Sequence, residues 1–294
     1  MGRAIPPHFS AMHDREEFIS SRDYSRLREL VYDEAGINLG SERKTMLEGR
    51  IRRRLKDLAI HSYAEYCDYL FSGEGLKEEL VHLIDVVTTN KTDFFREPRH
   101  FDFLTAAAVP EFVAANVARR PMLVWSAACS TGEEPYTLAM VLSECGLTHP
   151  GFAFRIIATD ISTAVLKKAA LGIYSTDAVR PVAQSLKVKY FMRGRERSFE
   201  RVRVVPELRR LVEFRRLNFM DSDYGMQEKF DAIFCRNVII YFDRPTQQSI
   251  LAKITQRLQP RAYLFMGHAE TLHDLTLPLE PMAPSLYRRI DARP

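Results

Sequence analysis

The 294-residue chain contains no run of about 18 consecutive apolar residues, which excludes a membrane-spanning helix. Met1 to Arg15 is polar, carries His8, His13 and Asp14, and lacks the apolar stretch of a signal peptide, so the expected location is the cytoplasm. Cysteine is sparse: Cys67, Cys129, Cys145 and Cys235 stand far apart, with no CxxC pair and no histidine spacing that would suggest zinc. Neither a disulfide framework nor a metal finger is expected, and the thiols should be reduced. No internal repeat or low-complexity segment is present. Charge of one sign is also scarce, with 42 Lys and Arg against 38 Asp and Glu.

What is present is the composition of a soluble globular protein, long enough for one large domain or a domain with an appendage. Its charge is unevenly spread. Ser41 to Ile60 holds seven basic residues and three acidic ones, a surplus equal to the formal net charge of +4 for the whole chain. Concentration matters more than the total, because fields of scattered opposite charges cancel. On a helix through Met46 to Leu58, Leu47, Ile51, Leu55 and Leu58 share one face, and Arg50, Arg52, Arg53 and Lys56 project from the rest. Evenly mixed charges would read as a solvated face. Four cations sharing that arc with one acid, Asp57, read as a binding surface.

From Asp14 to about Val87 the apolar spacing is helical throughout, as in Tyr24, Leu27, Leu30 and Val31. Ser41, after the turn Asn38-Leu39-Gly40, is a candidate N-cap. Thr88 to Glu97 breaks the pattern and reads as a connection between domains. After Pro121 short apolar runs alternate with helical stretches. Strands are expected at Met122 to Ala128, Phe154 to Thr159, Val212 to Leu217, Phe230 to Cys235, Ala262 to Gly267 and Ser285 to Ile290, with helices at Glu134 to Cys145, Thr163 to Leu171 and Thr246 to Leu258. This alternation predicts an α/β fold with a mostly parallel sheet covered on both faces. Val188 to Leu208 reads as a short antiparallel insertion.

The first strand runs into Ala128-Cys129-Ser130-Thr131-Gly132-Glu133-Glu134, where small residues at 128, 130 and 132 occupy the alternate positions of a glycine-rich cofactor turn. A plain helix cap with favourable acids reads the same way. Charge separates the ligands: Glu133 and Glu134 would repel a diphosphate at the helix N-terminus, whereas a cationic ligand without phosphates, such as S-adenosylmethionine, suits them. Asp160 ends the second strand, where a carboxylate can bind both ribose hydroxyls or merely cap the next helix. Arg236 and Asn237 follow the strand Phe230 to Cys235, and a crevice between that strand and the first would set Asn237 opposite the turn.

Together these motifs resemble the CheR-type chemotaxis receptor methyltransferases. The matching pieces are Thr88 to Glu97, Trp125 to Tyr136, Ala158 to Ile161, Phe230 to Asn237, Tyr241-Phe242-Asp243 and Gly267-His268-Ala269-Glu270, in family order from about residue 20. The resemblance implies transfer of a methyl group from S-adenosylmethionine to glutamate side chains of chemoreceptors, with S-adenosylhomocysteine as product. It implies a helical domain over 15–90, and a Rossmann-like methyltransferase domain over 91–294 with a β-subdomain inserted at about 188–210. It carries cofactor contacts onto Asn90, Thr92, Arg96, Ala128, Ser130, Gly132, one of Glu133 and Glu134, Asp160, Asn218, Phe219, Arg236 and Asn237. Arg96 and Tyr241 match the pair that orients the substrate carboxylate.

The partner of Arg50, Arg52, Arg53 and Lys56 would then be the acidic methylation helices of a receptor. Relatives that bind a receptor tail by β-augmentation tend to have glycines after the segment matching Phe191 to Gly194; here Arg195-Glu196-Arg197-Ser198-Phe199-Glu200 follows, which argues against tail tethering. A monomer with no bound metal and no nucleic-acid partner is expected. The alternatives are a nucleic-acid methyltransferase and a non-catalytic S-adenosylmethionine sensor. Arg236-Asn237-Val238-Ile239 lacks the Asn-Pro-Pro-aromatic pattern of base methylation, and Phe234 before Cys235 is not the proline of a cytosine-methylating nucleophile.

Overall fold

The computed structural model describes residues 18–115, 120–194 and 200–290. The chain divides into two compact units, one of residues up to Leu30 with Leu39–Val87, the other of Val31–Asn38 with Thr88 onward.

The first unit is helical. Its elements are α1 (Ser21–Ala35, whose last turn belongs to the second unit), α2 (Lys44–Leu58), α3 (Tyr63–Leu70) and α4 (Gly73–Val87). The expected apolar stripe is its core: Leu27, Leu47, Ile51, Tyr66, Leu70 and Leu83 are fully buried. Ser41 does not cap α2. It opens a separate 3-10 turn, Ser41–Arg43, and α2 begins at Lys44 without a side-chain cap.

The basic face is smaller than the helical wheel suggests. Arg50 turns its guanidinium onto the carbonyls of Val86 and Val87, at 2.8 and 3.1 Å, and so caps the C-terminus of α4. Arg54 forks onto the buried Glu79 at 2.8 and 2.7 Å, and Tyr66 donates to the same carboxylate at 3.2 Å. Arg52, Arg53 and Lys56 are exposed, and Arg52 donates to the Tyr63 hydroxyl at 3.3 Å.

The second unit opens with α5 (Arg99–Phe103), which continues through a π-helical turn (Leu104–Ala108) into α6 (Val109–Ala115). Then come β1 (Met122–Ala127), α7 (Glu133–Thr148), β2 (Phe154–Asp160), α8 (Thr163–Leu171), β3 (Ile173–Ser175), α9 (Gln184–Tyr190), β4 (Phe191–Arg193) and β5 (Arg201–Val204). The remainder is α10 (Pro206–Arg209), β6 (Val212–Arg216), β7 (Phe230–Cys235), α11 (Arg244–Gln256), β8 (Leu258–Met266), β9 (Leu279–Ala283) and β10 (Leu286–Arg289). The main sheet has the order β6-β2-β1-β7-β8-β10-β9, parallel from β6 to β8 and antiparallel at β10 and β9.

Burial of β7 along its whole length, and of all of β1 except Leu123, is what a sheet covered on both faces requires. Strand order reverses between β1 and β7, whose ends are in register: Ala127 pairs with Thr159 on one side and Cys235 on the other. Three strand and turn ends therefore adjoin at one edge of the sheet, the place where such folds bind ligands.

The inserted sheet has the order β3-β5-β4 and is antiparallel. Its strand β3 lies upstream of the expected 188–210, because three residues are too short to show period-two alternation. Residues 195–199, on which the argument against tail tethering rests, lie outside the described residues. No described helix is long and apolar enough to cross a membrane.

Candidate active site

The β1–α7 turn takes the left-handed conformation three times, at Ala128 (φ 63°), Ser130 (φ 51°) and Gly132 (φ 98°). Two of these are not glycine, and each costs about 1–2 kcal/mol. Neighbouring contacts hold the turn: Cys129 N donates to the Thr159 carbonyl at 2.9 Å, Ser130 N to Asp160 Oδ2 at 2.8 Å, and Ser130 Oγ to the Asn90 carbonyl at 2.9 Å. At 132 glycine is obligatory. A Cβ there would lie 2.8 Å from the Tyr174 hydroxyl and 2.9 Å from Ala169 Cβ.

Asp160 is buried and its second oxygen accepts from Ser162 N at 3.0 Å. It thus braces the β2–α8 turn, whose helix is capped separately by Ser162 accepting from Val165 N at 3.3 Å.

The two acids of the first turn of α7 have different surroundings. Glu133 accepts from Thr131 Oγ1 at 2.6 Å. Glu134 accepts from Ser126 Oγ at 2.7 Å and lies 3.4 Å from Arg236 Nη1. Burial pushes both carboxyls above their ordinary range, opposed by Thr131 at Glu133 and by Arg236 and Ser126 at Glu134.

Arg236, at the end of β7, has a side chain only 2 % exposed and gathers the linker around it. Its Nη2 lies 3.2 Å from Glu97 Oε2 and donates to the Arg96 carbonyl, while Nε is buried without a hydrogen-bond partner. Half-buried Arg96 itself donates to the Lys91 carbonyl at 3.1 Å. Asn90 Nδ2 donates to Thr88 Oγ1 at 3.1 Å, and Thr92 is half-buried. Burial raises the pKa of Glu97, but Arg236, His268 N–H and Asn237 together outweigh it and leave the group below its ordinary value.

Asn237 adopts φ 58° and leads into the 3-10 turn Ile239–Tyr241. Glu270 shapes that turn. Its buried carboxylate accepts four backbone N–H groups: Asn237 and Gly267 on Oε2 at 2.8 and 2.6 Å, Val238 and Ile239 on Oε1 at 2.8 Å each. A Cβ at Gly267 would lie 2.5 Å from Asn237 Nδ2. Glu270 lay within a motif of the family resemblance, but no role was legible for it, because a lone acid 33 residues past Asn237 gives no sign of what it binds.

Segment Val31–Asn38 packs on the loops after β6 and β7. Asn218 Nδ2 donates to the Glu34 carbonyl at 2.6 Å, Asn38 N to the Tyr241 carbonyl at 2.9 Å, and Tyr32 Oη to Asp243 Oδ2 at 2.6 Å. Phe219 is buried beside Tyr224 and Phe242. Asn90, Arg96, the 128–134 turn, Asp160, Arg236 and Asn237 are linked by these contacts at one sheet edge. Asn218 and Tyr241 are joined to it through Val31–Asn38. Burial raises the thiols of Cys129 and Cys235 well above their ordinary range, so neither is a nucleophile at neutral pH.

Comparison with known proteins agrees with this organisation. Residues 22–88 match the model of the CheR methyltransferase, all-alpha domain, and residues 90–285 that of the CheR methyltransferase, SAM binding domain. A chemotaxis protein methyltransferase of Borreliella burgdorferi is 38% identical over 92% of this chain and 95% of its own. Chemotaxis protein methyltransferase 2 of Pseudomonas aeruginosa is 39% identical over 89% and 91%. The Escherichia coli chemotaxis protein methyltransferase is 40% identical over 87% of each chain. With both domain models matched in order and relatives this similar along most of their length, the chain belongs to the CheR methyltransferase family.

Proposed function

We propose that this chain transfers a methyl group from S-adenosylmethionine to glutamate carboxylates of chemoreceptors, forming glutamate methyl esters. The observation that carries the reading is the joining of Glu134, Arg236 and the Arg96 backbone across the β1–β7 switch point, beside a turn whose helix N-terminus is acidic. Such a site suits a positively charged cofactor better than a diphosphate. The buried Nε of Arg236, which has no hydrogen-bond partner, also leaves a donor for a polar ligand atom.

When bound, the cofactor supplies an electrophilic methyl group on a sulfonium. The turn 128–132, Asp160, Asn218, Phe219, Asn90, Thr92, Arg96, Arg236 and Asn237 are the residues proposed to hold it. Of the two acids we propose Glu134 as the one facing the cofactor; what supports it over Glu133 is its position beside Arg236 in the crevice. A glutamate side chain, with a reference pKa near 4.3, is already an anion at neutral pH, so no general base is needed. The residues' work is therefore placement, which can supply roughly 7–11 kcal/mol of a barrier. Arg96 and Tyr241 each hydrogen-bond one oxygen and leave the other to attack. A bidentate Arg96 would stabilise the anionic ground state more than the less charged transition state.

Receptor docking is proposed to use the exposed Arg52, Arg53 and Lys56 of α2 against an acidic helix, with Arg50 supporting the unit from within. Labelled methyl transfer from S-adenosylmethionine to receptor cytoplasmic fragments tests the whole reading. Base-labile label in the fragments, inhibited by S-adenosylhomocysteine, is expected; label in nucleic acid, or cofactor binding without transfer, would refute it.

A further inference from the structure

Near the proposed active site lies a group of side chains that methyl transfer does not employ. Glu97, His100 and His268 each offer one ligand atom, and the three atoms lie within 4.8 Å of one another. Glu97 Oε2 is 3.6 Å from His100 Nδ1 and 4.0 Å from His268 Nε2. Ligands around a tetrahedral zinc sit about 3.3 Å apart for bond lengths near 2.0–2.1 Å, so the three atoms would have to close by up to about 1.5 Å to share one ion.

One tautomer of His100 satisfies its other neighbour. Ser285 Oγ donates to the Pro284 carbonyl at 2.7 Å and, at 3.0 Å from His100 Nε2, can then accept from the ring. In that tautomer Nε2 carries the ring proton and Nδ1 presents a bare lone pair. That nitrogen is buried without a hydrogen-bond partner, on a residue 4 % exposed, and it faces Glu97 Oε2, which also lacks a hydrogen-bond donor. Two electron-rich atoms thus face each other, and of the two it is Glu97 Oε2 that has a cation beside it, the Arg236 guanidinium at 3.2 Å. A ring N–H anchored on oxygen while the other nitrogen faces outward is also how metal-bound histidines are held. His268, with its side chain 55 % exposed, supplies an entry path and leaves a coordination position open.

We propose that Glu97, His100 and His268 bind one first-row transition-metal dication that prefers nitrogen and oxygen ligands, with Zn²⁺ the best fit. Arg236 Nη2, 3.2 Å from the same Glu97 oxygen, competes with the ion. Asn237 Nδ2 and His268 N hold the other oxygen, at 3.4 and 3.3 Å. The site is thus weaker than a structural zinc centre. Occupancy draws Glu97 away from Arg236, so metal and cofactor oppose each other; this last step rests on the proposed cofactor role of Arg236. By linkage the antagonism is reciprocal.

Titration of the full chain with Co²⁺ tests the site. One equivalent should bind with visible d–d absorption and no thiolate charge-transfer band, and Zn²⁺ should displace it. His268→Ala should weaken both ions by about tenfold or more, and Ser285→Ala by about 10- to 100-fold through loss of the anchor. Unchanged affinity in His268→Ala, a thiolate band, or no saturable binding would overturn the proposal. Zn²⁺ should also weaken cofactor binding in the wild type and leave it unaffected in His268→Ala; independent binding of the two would refute the competition for Glu97. Failure of methyl transfer by metal-free protein would count against the proposed function alone, since the Co²⁺ titration does not depend on it.

Discussion

At the scale of single residues the proposed chemistry turns on a few groups whose surroundings separate their tasks. Tyr241 is assigned to the substrate carboxylate and Arg96 to both the carboxylate and the cofactor, so Arg96→Ala and Tyr241→Phe should each lower methyl transfer about 100-fold or more, while cofactor affinity measured by calorimetry stays close to wild type in Tyr241→Phe and falls in Arg96→Ala. Equal loss of cofactor binding in both variants would remove that assignment. The acidic pair divides differently. Glu134 shares the crevice with Arg236 whereas Glu133 binds Thr131, so Glu134→Gln should weaken cofactor binding about tenfold and Glu133→Gln much less, in the same calorimetric experiment.

At the scale of elements, two short segments owe their shape to a buried charge or a hidden cap. The turn after β7 is folded around Glu270, which satisfies four N–H groups at once. Replacing Glu270 by Ala leaves buried donors unpaired, at about 1–3 kcal/mol each before relaxation and water entry. A loss of about 3 kcal/mol or more in denaturant unfolding is expected, along with weaker cofactor binding, because Arg236 and Asn237 lie on that turn.

Helix α2 separates structural from exposed cations. Arg50→Glu places an acid against the last carbonyls of α4 and should cost about 1–2 kcal/mol. Arg53→Glu with Lys56→Glu should change stability by less than about 0.5 kcal/mol each, yet slow methylation of receptor fragments. Raising salt should likewise slow methylation in the wild type with little effect on cofactor binding. Methylation indifferent to both changes would exclude the docking surface.

At the scale of the whole molecule, all four cysteines are buried, Cys67 in the helical unit and Cys129, Cys145 and Cys235 in the α/β unit. Burial raises the thiols of Cys129, Cys145 and Cys235, so the reactive thiolate is scarce in the folded state. Alkylation at pH 8 should therefore be slow in buffer and become rapid only across the unfolding transition, with Cys67 reporting one unit and Cys235 the other. Rapid labelling of Cys235 in folded protein would contradict this burial.

Much of the molecule was legible without coordinates, for reasons that differ by element. Strand β7 and helix α8 match their expected bounds, because a run of buried apolar residues between breakers leaves few alternatives. The left-handed course of the β1–α7 turn was legible because small residues at alternate positions accommodate such a backbone. Strands β3 and β9 and the helices from Arg99 to Ala115 were not assigned; the two strands are short, and edge strands such as β9, exposed at every residue after Leu279, carry little hydrophobic pattern. The apolar face of α2 and its basic surplus follow from local spacing. Which of those cations faces solvent does not, because Arg50 and Arg54 found acceptors 36 and 25 residues away. The same holds for Glu270 under the 237–239 turn and for His268 opposite Glu97, 171 residues apart. The amino-acid sequence alone determined the α/β architecture and the chemistry its turns can bear, since periodicity and residue type act locally. Only the tertiary structure decided which charges are spent on packing and which meet at the site, since that depends on contacts between residues far apart in the chain.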